Sequence, residues 1–333
     1  MSKQLTIGML GAARIGYFGL IKPASEIPDI SVCAIAARDP DRASQYARKH
    51  NIPRVHASYE ALLQDPDIDA IYNPLPNALH CEWSIKALEA GKHVLCEKPI
   101  ASNADEVRAM EAAAHRSGRV LMEAFHYRFH PLAARMCELV KTLGEIRHID
   151  VGMCFPLPMT GDIRFNYALG GGATMDVGAY TANLLRLLAA ASNDPALQRA
   201  PTVTLAKPKL LRDKVDRAMR VELCWDNGTT GLIENSLLSS RVFRLSAKVQ
   251  GSEGSLYVLN PIAPQLYHHI TLNIRGKKSR ERVAGKASYT CQLEEFARRI
   301  RSGESRSDLS DAIANMSLID TIYRAGGLPI RGS

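Results

Sequence analysis

Two short stretches of this sequence hold residues whose types and spacing suit proton transfer beside an oxidisable carbon. In Cys96-Glu97-Lys98-Pro99 a lysine stands between a carboxylate and a proline. Proline drives the residue before it toward extended geometry and tolerates a cis bond, so the amine is held in a defined direction. In GGGATMDVGAY (170–180) three glycines lead into a predicted helix carrying Asp176 and Tyr180. Four residues apart, these two share one helical face. A tyrosine with a lysine and a carboxylate beside it can exchange a proton with a sugar or diol hydroxyl, because the cation stabilises the phenolate. Either Lys98 or Tyr180 could be the principal acid/base, with Asp176 orienting the substrate or the amine.

A third stretch suits phosphate. Gly11-Ala12-Ala13-Arg14-Ile15-Gly16 fits the pattern G-x-G-x-x-G with Ala13 in the middle place. The first glycine permits the tight turn and the last lets helix and strand pack closely. Pyrophosphate would sit on the helix N-terminus. At the end of the second strand, where an acid would bind the ribose of NAD, the chain has Ala37, followed by Arg38 and, four residues on, Arg42. Two guanidiniums there suit a 2′-phosphate, which favours NADP over NAD. Asp39-Pro40 reads as a helix cap followed by a first-turn proline.

The elements that must position these residues follow from periodicity. Short β-rich runs at 4–10, 31–36, 68–73, 93–96 and 119–122 alternate with helical patterns at 14–25, 40–50, 58–64, 78–90 and 103–117. That alternation predicts an α/β Rossmann domain, a doubly wound parallel sheet, over residues 1–124. Lys98 then follows the fifth strand at the carboxyl edge of the sheet, where ligands of such folds bind. Residues 125–333 predict an α+β domain. It has a helix at 130–142, a strand at 145–154, a loop at 156–170 with Pro156, Pro158, Gly161 and Gly170, a helix at 173–190, and mostly strands over 202–274. Its large, mostly antiparallel sheet would be open on one face, and we expect a homodimer or homotetramer to cover that face. Of the closing helices at 288–302 and 308–325, the last is a candidate to pack back on the first domain.

Composition narrows the function class. The 42 Lys and Arg exceed the 34 Asp and Glu by 8, but the charge is spread along the chain. The densest basic run, Arg275 to Arg282, reads as a solvated hairpin tip, with no nucleic-acid motif beside it. No apolar run approaches the ~20 residues that span a bilayer, and nothing in MSKQLTIGML reads as an export signal. The seven cysteines are odd in number and widely spaced, and neither a disulfide framework nor a metal site is indicated. The expected compartment is the cytoplasm.

Taken together, the glycine turn, PNALH (76–80), CEKP (96–99), MEAFHYRFHP (122–131), GGGATMDVGAY and DAIANMSLID (311–320) resemble the Gfo/Idh/MocA oxidoreductases over essentially the whole chain. The likeness is strongest to the dihydrodiol and sugar dehydrogenase branch, which carries tyrosine where many members have histidine at the place of Tyr180. The resemblance implies a cis Lys98–Pro99 bond aiming the amine at the substrate carbon. It places His80 near the nicotinamide or the substrate. Pro76 is a further cofactor-binding candidate, Glu97 either braces the turn or lies near the nicotinamide ribose, and Arg128 either meets a substrate hydroxyl or carboxylate or ties the two domains together. The implied activity is hydride transfer between NADP or NAD and a carbinol or carbonyl carbon of a sugar, cyclic polyol or trans-dihydrodiol. Two rivals are a cofactor-sensing regulator of the same fold and a dehydrogenase of hydroxy acids or semialdehydes, the latter favoured by basic pocket residues such as Arg128 or Arg164.

Overall fold

The computed structural model describes residues 4–157, 162–212, 214–239, 243–303 and 308–332. Among these, fourteen strands form two sheets. The loop residues 158–161, with Pro158 and Gly161, lie outside the described residues. The chain divides into two compact units, the first Met1–Ala101, Asp105–His126 and Tyr289–Ala312, the second Ser102–Ala104, Tyr127–Ser288 and Ile313–Ser333.

In the first unit, β1 (Leu5–Leu10), β2 (Ile30–Ala36), β3 (Arg54–His56), β4 (Ala70–Asn73), β5 (His93–Cys96) and β6 (Leu121–Glu123) form a parallel sheet in the order β3-β2-β1-β4-β5-β6. The central strands are buried on both faces, which is why they read as unbroken apolar runs rather than as alternation. Between them lie α1 (Lys22–Ser25), α2 (Pro40–His50), α3 (Tyr59–Leu63), α4 (His80–Glu89) and α5 (Ala104–Ser117). Asp39 caps α2 as its sequence suggests, accepting from the N–H groups of Asp41 and Arg42. The helix expected over 14–25 is broken in type: a π-helical turn, Tyr17–Ile21, precedes α1.

The second unit contains α6 (Pro131–Val140), α7 (Ala179–Ala190) and an eight-stranded sheet whose first strand in chain order is β7 (Ile146–Cys154). Its remaining strands are β8 (Thr202–Arg212), β9 (Val215–Cys224), β10 (Thr230–Ser236), β11 (Arg244–Gly251), β12 (Gly254–Leu259), β13 (His269–Ile274) and β14 (Lys277–Glu281). The order is β14-β13-β12-β11-β7-β10-β9-β8, antiparallel except where β7 meets β10. Helix α7 packs on β7 and β10. On their other face runs a row of ion pairs: Arg220 with Glu222 and Glu234, and Arg244 with Asp150 and Glu234. The basic run of 275–282 is not a broad tip. Arg275 and Gly276 make the turn, both with positive φ, and Lys277 to Arg280 lie on edge strand β14, where cations discourage edge pairing.

Of the closing helices, residues 289–312, with most of α8 (Ser288–Arg301), group with the first unit. Residues 313–333, with most of α9 (Ser310–Ala325), group with the second.

Candidate active site

The glycine turn follows β1 directly. Gly11 has φ +76°, and its N–H donates to Ala36 O at 2.7 Å. A Cβ on Gly16 would stand 2.7 Å from Met9 Sδ and 2.9 Å from Tyr46 Oη, so only glycine lets this segment lie so close to β1. The carbonyls of Ala12 and Ala13 accept from Arg42 Nη2 and Tyr46 Oη, both at 3.0 Å. Because peptides are trans and planar, the N–H groups of Ala13 and Arg14 then point away from α2. Ala13, in the middle place of the turn, is half-buried. Ala37 is buried, while Arg38 and Arg42 are exposed just beyond β2.

At the end of β5 the Lys98–Pro99 bond is cis, as the resemblance implied. Glu97 is buried; its Oε1 accepts from Tyr72 Oη at 2.7 Å and its Oε2 from Lys98 N at 3.3 Å. Gly19 makes room for this pair, since a Cβ there would lie 2.3 Å from Tyr72 Oη. His80 is buried behind the cis bond, with Nδ1 at 2.8 Å from Pro99 O and Nε2 at 2.7 Å from Leu75 O. It ties the loop after β4, which contains Pro76, to the loop after β5. Burial lowers its pKa to about 4, although both carbonyl contacts favour the charged ring. His126, also buried, stacks on Tyr289 with centroids 3.9 Å apart. Burial first, and the Lys98 cation second, lower its pKa to about 3. Lys98, Glu97, Tyr72, His126 and Tyr289 therefore form one neighbourhood in this unit. Tyr72 and Tyr289 were not singled out from the sequence, because apolar strand context and sequence distance hide them, and His126 draws notice there only as a rejected metal ligand beside His130.

In the second unit the expected helix opens with a π-helical turn, Thr174–Gly178, before α7. Such turns recur at functional sites. Gly172, at φ +138°, cannot carry a side chain: its Cβ would stand 2.3 Å from Asp216 Oδ1. Asp216 and Arg331 are fully buried and paired at 3.2 Å. Asp216 also accepts from Thr174 N at 2.7 Å and Tyr323 Oη at 3.1 Å, and Arg331 donates to Gly171 O at 2.9 Å. This buried pair fixes where the π turn begins. On it, Asp176 accepts from Arg164 Nε at 2.8 Å, and Arg164 Nη1 reaches Asp162 Oδ1 at 3.0 Å. Tyr180 is buried to 6 % exposure, its ring 6.2 Å from that of Tyr127. Tyr127 donates to Asn183 Oδ1 at 2.5 Å. Half-buried Arg128 lies near Cys137 of α6, whose thiol its charge lowers against the dominant effect of burial.

Comparison with known proteins fits this geometry. Residues 5–125 match the oxidoreductase family with an NAD-binding Rossmann fold, and 134–257 match the GFO/IDH/MocA C-terminal domain. The chain belongs to the Gfo/Idh/MocA oxidoreductase family. A D-xylose 1-dehydrogenase (NADP(+)) of Haloferax volcanii is 37% identical over 96% of this chain and 97% of its own. A trans-1,2-dihydrobenzene-1,2-diol dehydrogenase of Xenopus laevis is 39% identical over 48% of this chain and 49% of its own. Among solved structures, a 3-ketoreductase from Actinomadura kijaniata in complex with NADP and TDP-benzene superposes with a TM-score of 0.88 at 27% identity, covering 97% of this chain and 98% of that one. As a member of this family the chain is an NAD(P)-dependent oxidoreductase. Among its described residues no helix is long and apolar enough to cross a membrane.

Proposed function

We propose that the protein oxidises a secondary or anomeric carbinol of a neutral sugar, cyclic polyol or trans-dihydrodiol, or runs the reverse reduction, with NADP as the preferred cofactor. One observation carries the substrate class. Arg164, the cation expected to recruit an acidic substrate, is already engaged by Asp162 and Asp176. What remains there is a triad of one guanidinium and two carboxylates, net negative, that offers hydrogen bonds to hydroxyls and repels a further carboxylate. The xylose, ketosugar and dihydrodiol specificities in the names of its relatives agree with that reading.

The cofactor, when bound, supplies or accepts the hydride. Gly11, Ala13, Arg14, Ile15 and Gly16 would hold its pyrophosphate on main-chain N–H groups. Ala37 leaves space for the ribose, and Arg38 and Arg42 meet the 2′-phosphate. Pro76 and Glu97 border the nicotinamide end, and His80 acts through the main chain by holding the Lys98–Pro99 loop. Lys98 and Tyr180 take the hydroxyl proton during oxidation and return it during reduction. Asp176, oriented by Arg164, positions the substrate hydroxyls, and Arg128 supports the segment Tyr127 belongs to. The presence of Lys98, Asp176 and Tyr180 together weighs against a cofactor-sensing regulator.

We further propose a homodimer or homotetramer formed through the ion-paired face of β7, β9, β10 and β11, in the cytoplasm, where its seven free cysteines stay reduced. Steady-state NADP reduction across a panel of aldoses, inositols and dihydrodiols, with 2-hydroxy acids alongside, tests the activity. Turnover confined to the hydroxy acids would overturn it, as a monomeric mass in solution would overturn the assembly.

A further inference from the structure

The parallel sheet has a second cleft, at the edge opposite the glycine turn. It encloses about 420 Å³ and is lined chiefly by Leu5, Asp69, Lys92, His93, Arg119 and Arg301. These stand at the amino ends of β1, β4 and β5, whereas the cofactor turn and Lys98 stand at the carboxyl ends. At about 3.3 Å per residue, the length of β1 separates the two by roughly 15–20 Å.

The polar groups of this cleft are unevenly satisfied. Lys92 is buried, and its Nζ donates to two main-chain oxygens, Asp65 O at 2.7 Å and Ile68 O at 2.8 Å, which leaves one of its three donors. Arg119 runs past Gly91, its Nη2 3.8 Å from where a Cβ there would stand. Its Nε is buried with no hydrogen-bond partner among the described residues. Val120 N donates to His93 Nδ1 at 3.0 Å. The neutral ring therefore carries its proton on Nε2 and is a donor. Burial and the neighbouring Arg119 lower its pKa to about 4, so it is neutral at physiological pH. Among the described residues that line the wall the one carboxylate is Asp69, which accepts from Thr6 N at 3.1 Å and Thr6 Oγ1 at 2.8 Å; Arg301 pairs with Asp29 at 2.6 Å. Arg119 thus brings a guanidinium with no acidic partner among the described residues into a cleft that already holds a buried ammonium.

We propose that this cleft binds a small oxyanion, a phosphate or a carboxylate, gripped by the Arg119 fork with Lys92 and His93 as further donors. A guanidinium pairs such anions through two parallel N–H bonds.

Thermal unfolding followed against inorganic phosphate, and in a second arm against succinate, at ionic strength held constant with chloride, tests the site. Each titration is run with and without NADP, because phosphate can also meet the glycine turn. The expected result is a saturable rise in Tm that persists with NADP, the larger rise naming phosphate or carboxylate as the source. Arg119→Met should shift half-saturation at least about tenfold, the loss of one charged hydrogen-bonding group. Arg119→Lys, keeping charge without the fork, should fall between, and Arg38→Ala should leave the response intact. The absence of any rise, an equal rise in Arg119→Met, or loss of the rise in Arg38→Ala alone overturns the proposal.

Discussion

The two units open their functional helices alike, with a glycine-rich segment and then a π-helical turn, Tyr17–Ile21 in one and Thr174–Gly178 in the other. They fix those helices by different means. In the first unit the devices are mostly main-chain and local: a positive-φ glycine, carbonyls taken by the next helix, a cis proline braced by His80. In the second unit the π turn hangs from a buried ion pair between residues far apart in sequence, Asp216 and Arg331. A site held by main-chain geometry tolerates loss of a side chain at the cost of chemistry alone. One held by a buried charge pair loses its fold with the side chain.

Lys98→Met probes the first arrangement and carries the largest expected effect. Removing a general acid/base lowers kcat by about a hundred- to ten-thousandfold, while NADP affinity measured by fluorescence quenching and the Tm stay near those of the parent. Tyr180→Phe keeps the ring beside Tyr127 and should lower kcat by less. Parental turnover in Tyr180→Phe with a dead Lys98→Met would make Lys98 the sole acid/base, and activity in both would remove the pair from the chemistry.

Arg331→Met probes the second. It strands Asp216 as a buried, uncompensated carboxylate, an imbalance that costs about 3–5 kcal/mol. Urea unfolding should show that loss, whereas Arg301→Ala, which breaks a half-exposed pair with Asp29, should cost about 1 kcal/mol or less. Equal effects would erase the contrast between the units.

The same contrast explains what could be read in the sequence. The glycine turn, the Asp39-Pro40 cap and CEKP keep their causes within a few residues, and all were legible. Strand β3 is only three residues long and is held by Arg54 and His56 pairing with Asp65, a signal no periodicity carries. Asp216 was hidden for another reason. Alternation along β9 sets it in phase with outward-facing Arg220 and Glu222, but the pairing with β8 slips at Lys209/Leu210 and Leu210/Arg212. Next to that slip the carboxylate is fully buried. The π turns were invisible because i→i+5 bonding leaves the apolar pattern almost unchanged. Tyr72–Glu97 and His126–Tyr289 needed coordinates, since each joins residues whose own surroundings read as core.

A smaller effect sharpens the cofactor side of the first unit. Arg38 is exposed, so its loss leaves the fold alone. If it meets the 2′-phosphate, Arg38→Ala should weaken NADP by about ten- to a hundredfold, the value of a charge-assisted bond, and leave NAD nearly unchanged. Isothermal titration with both cofactors checks this, and equal weakening of the two would remove Arg38 from the 2′-phosphate.

The smallest effect separates the units by pH. His80 and His126 both belong to the first unit, and burial holds their pKa values to about 4 and about 3. In the unfolded chain each titrates near 6.5. Between these values the unfolded state binds more protons than the folded one, so stability is intact above about pH 6.5 and falls as pH drops toward 4. At pH 5 the deficit is about 1–2 kcal/mol for each ring. The His126 ring lies against Tyr289, and the Lys98 cation opposes a second positive charge. Acid should therefore loosen the neighbourhood of Lys98 before it touches the Asp216–Arg331 pair. Hydrogen exchange at pH 7 and pH 5, corrected for intrinsic rates, should show protection lost first along β5, the Lys98 loop and α8, with α7 and β9 holding. A uniform loss, or one led by the second unit, would show that the buried histidines do not set the acid response.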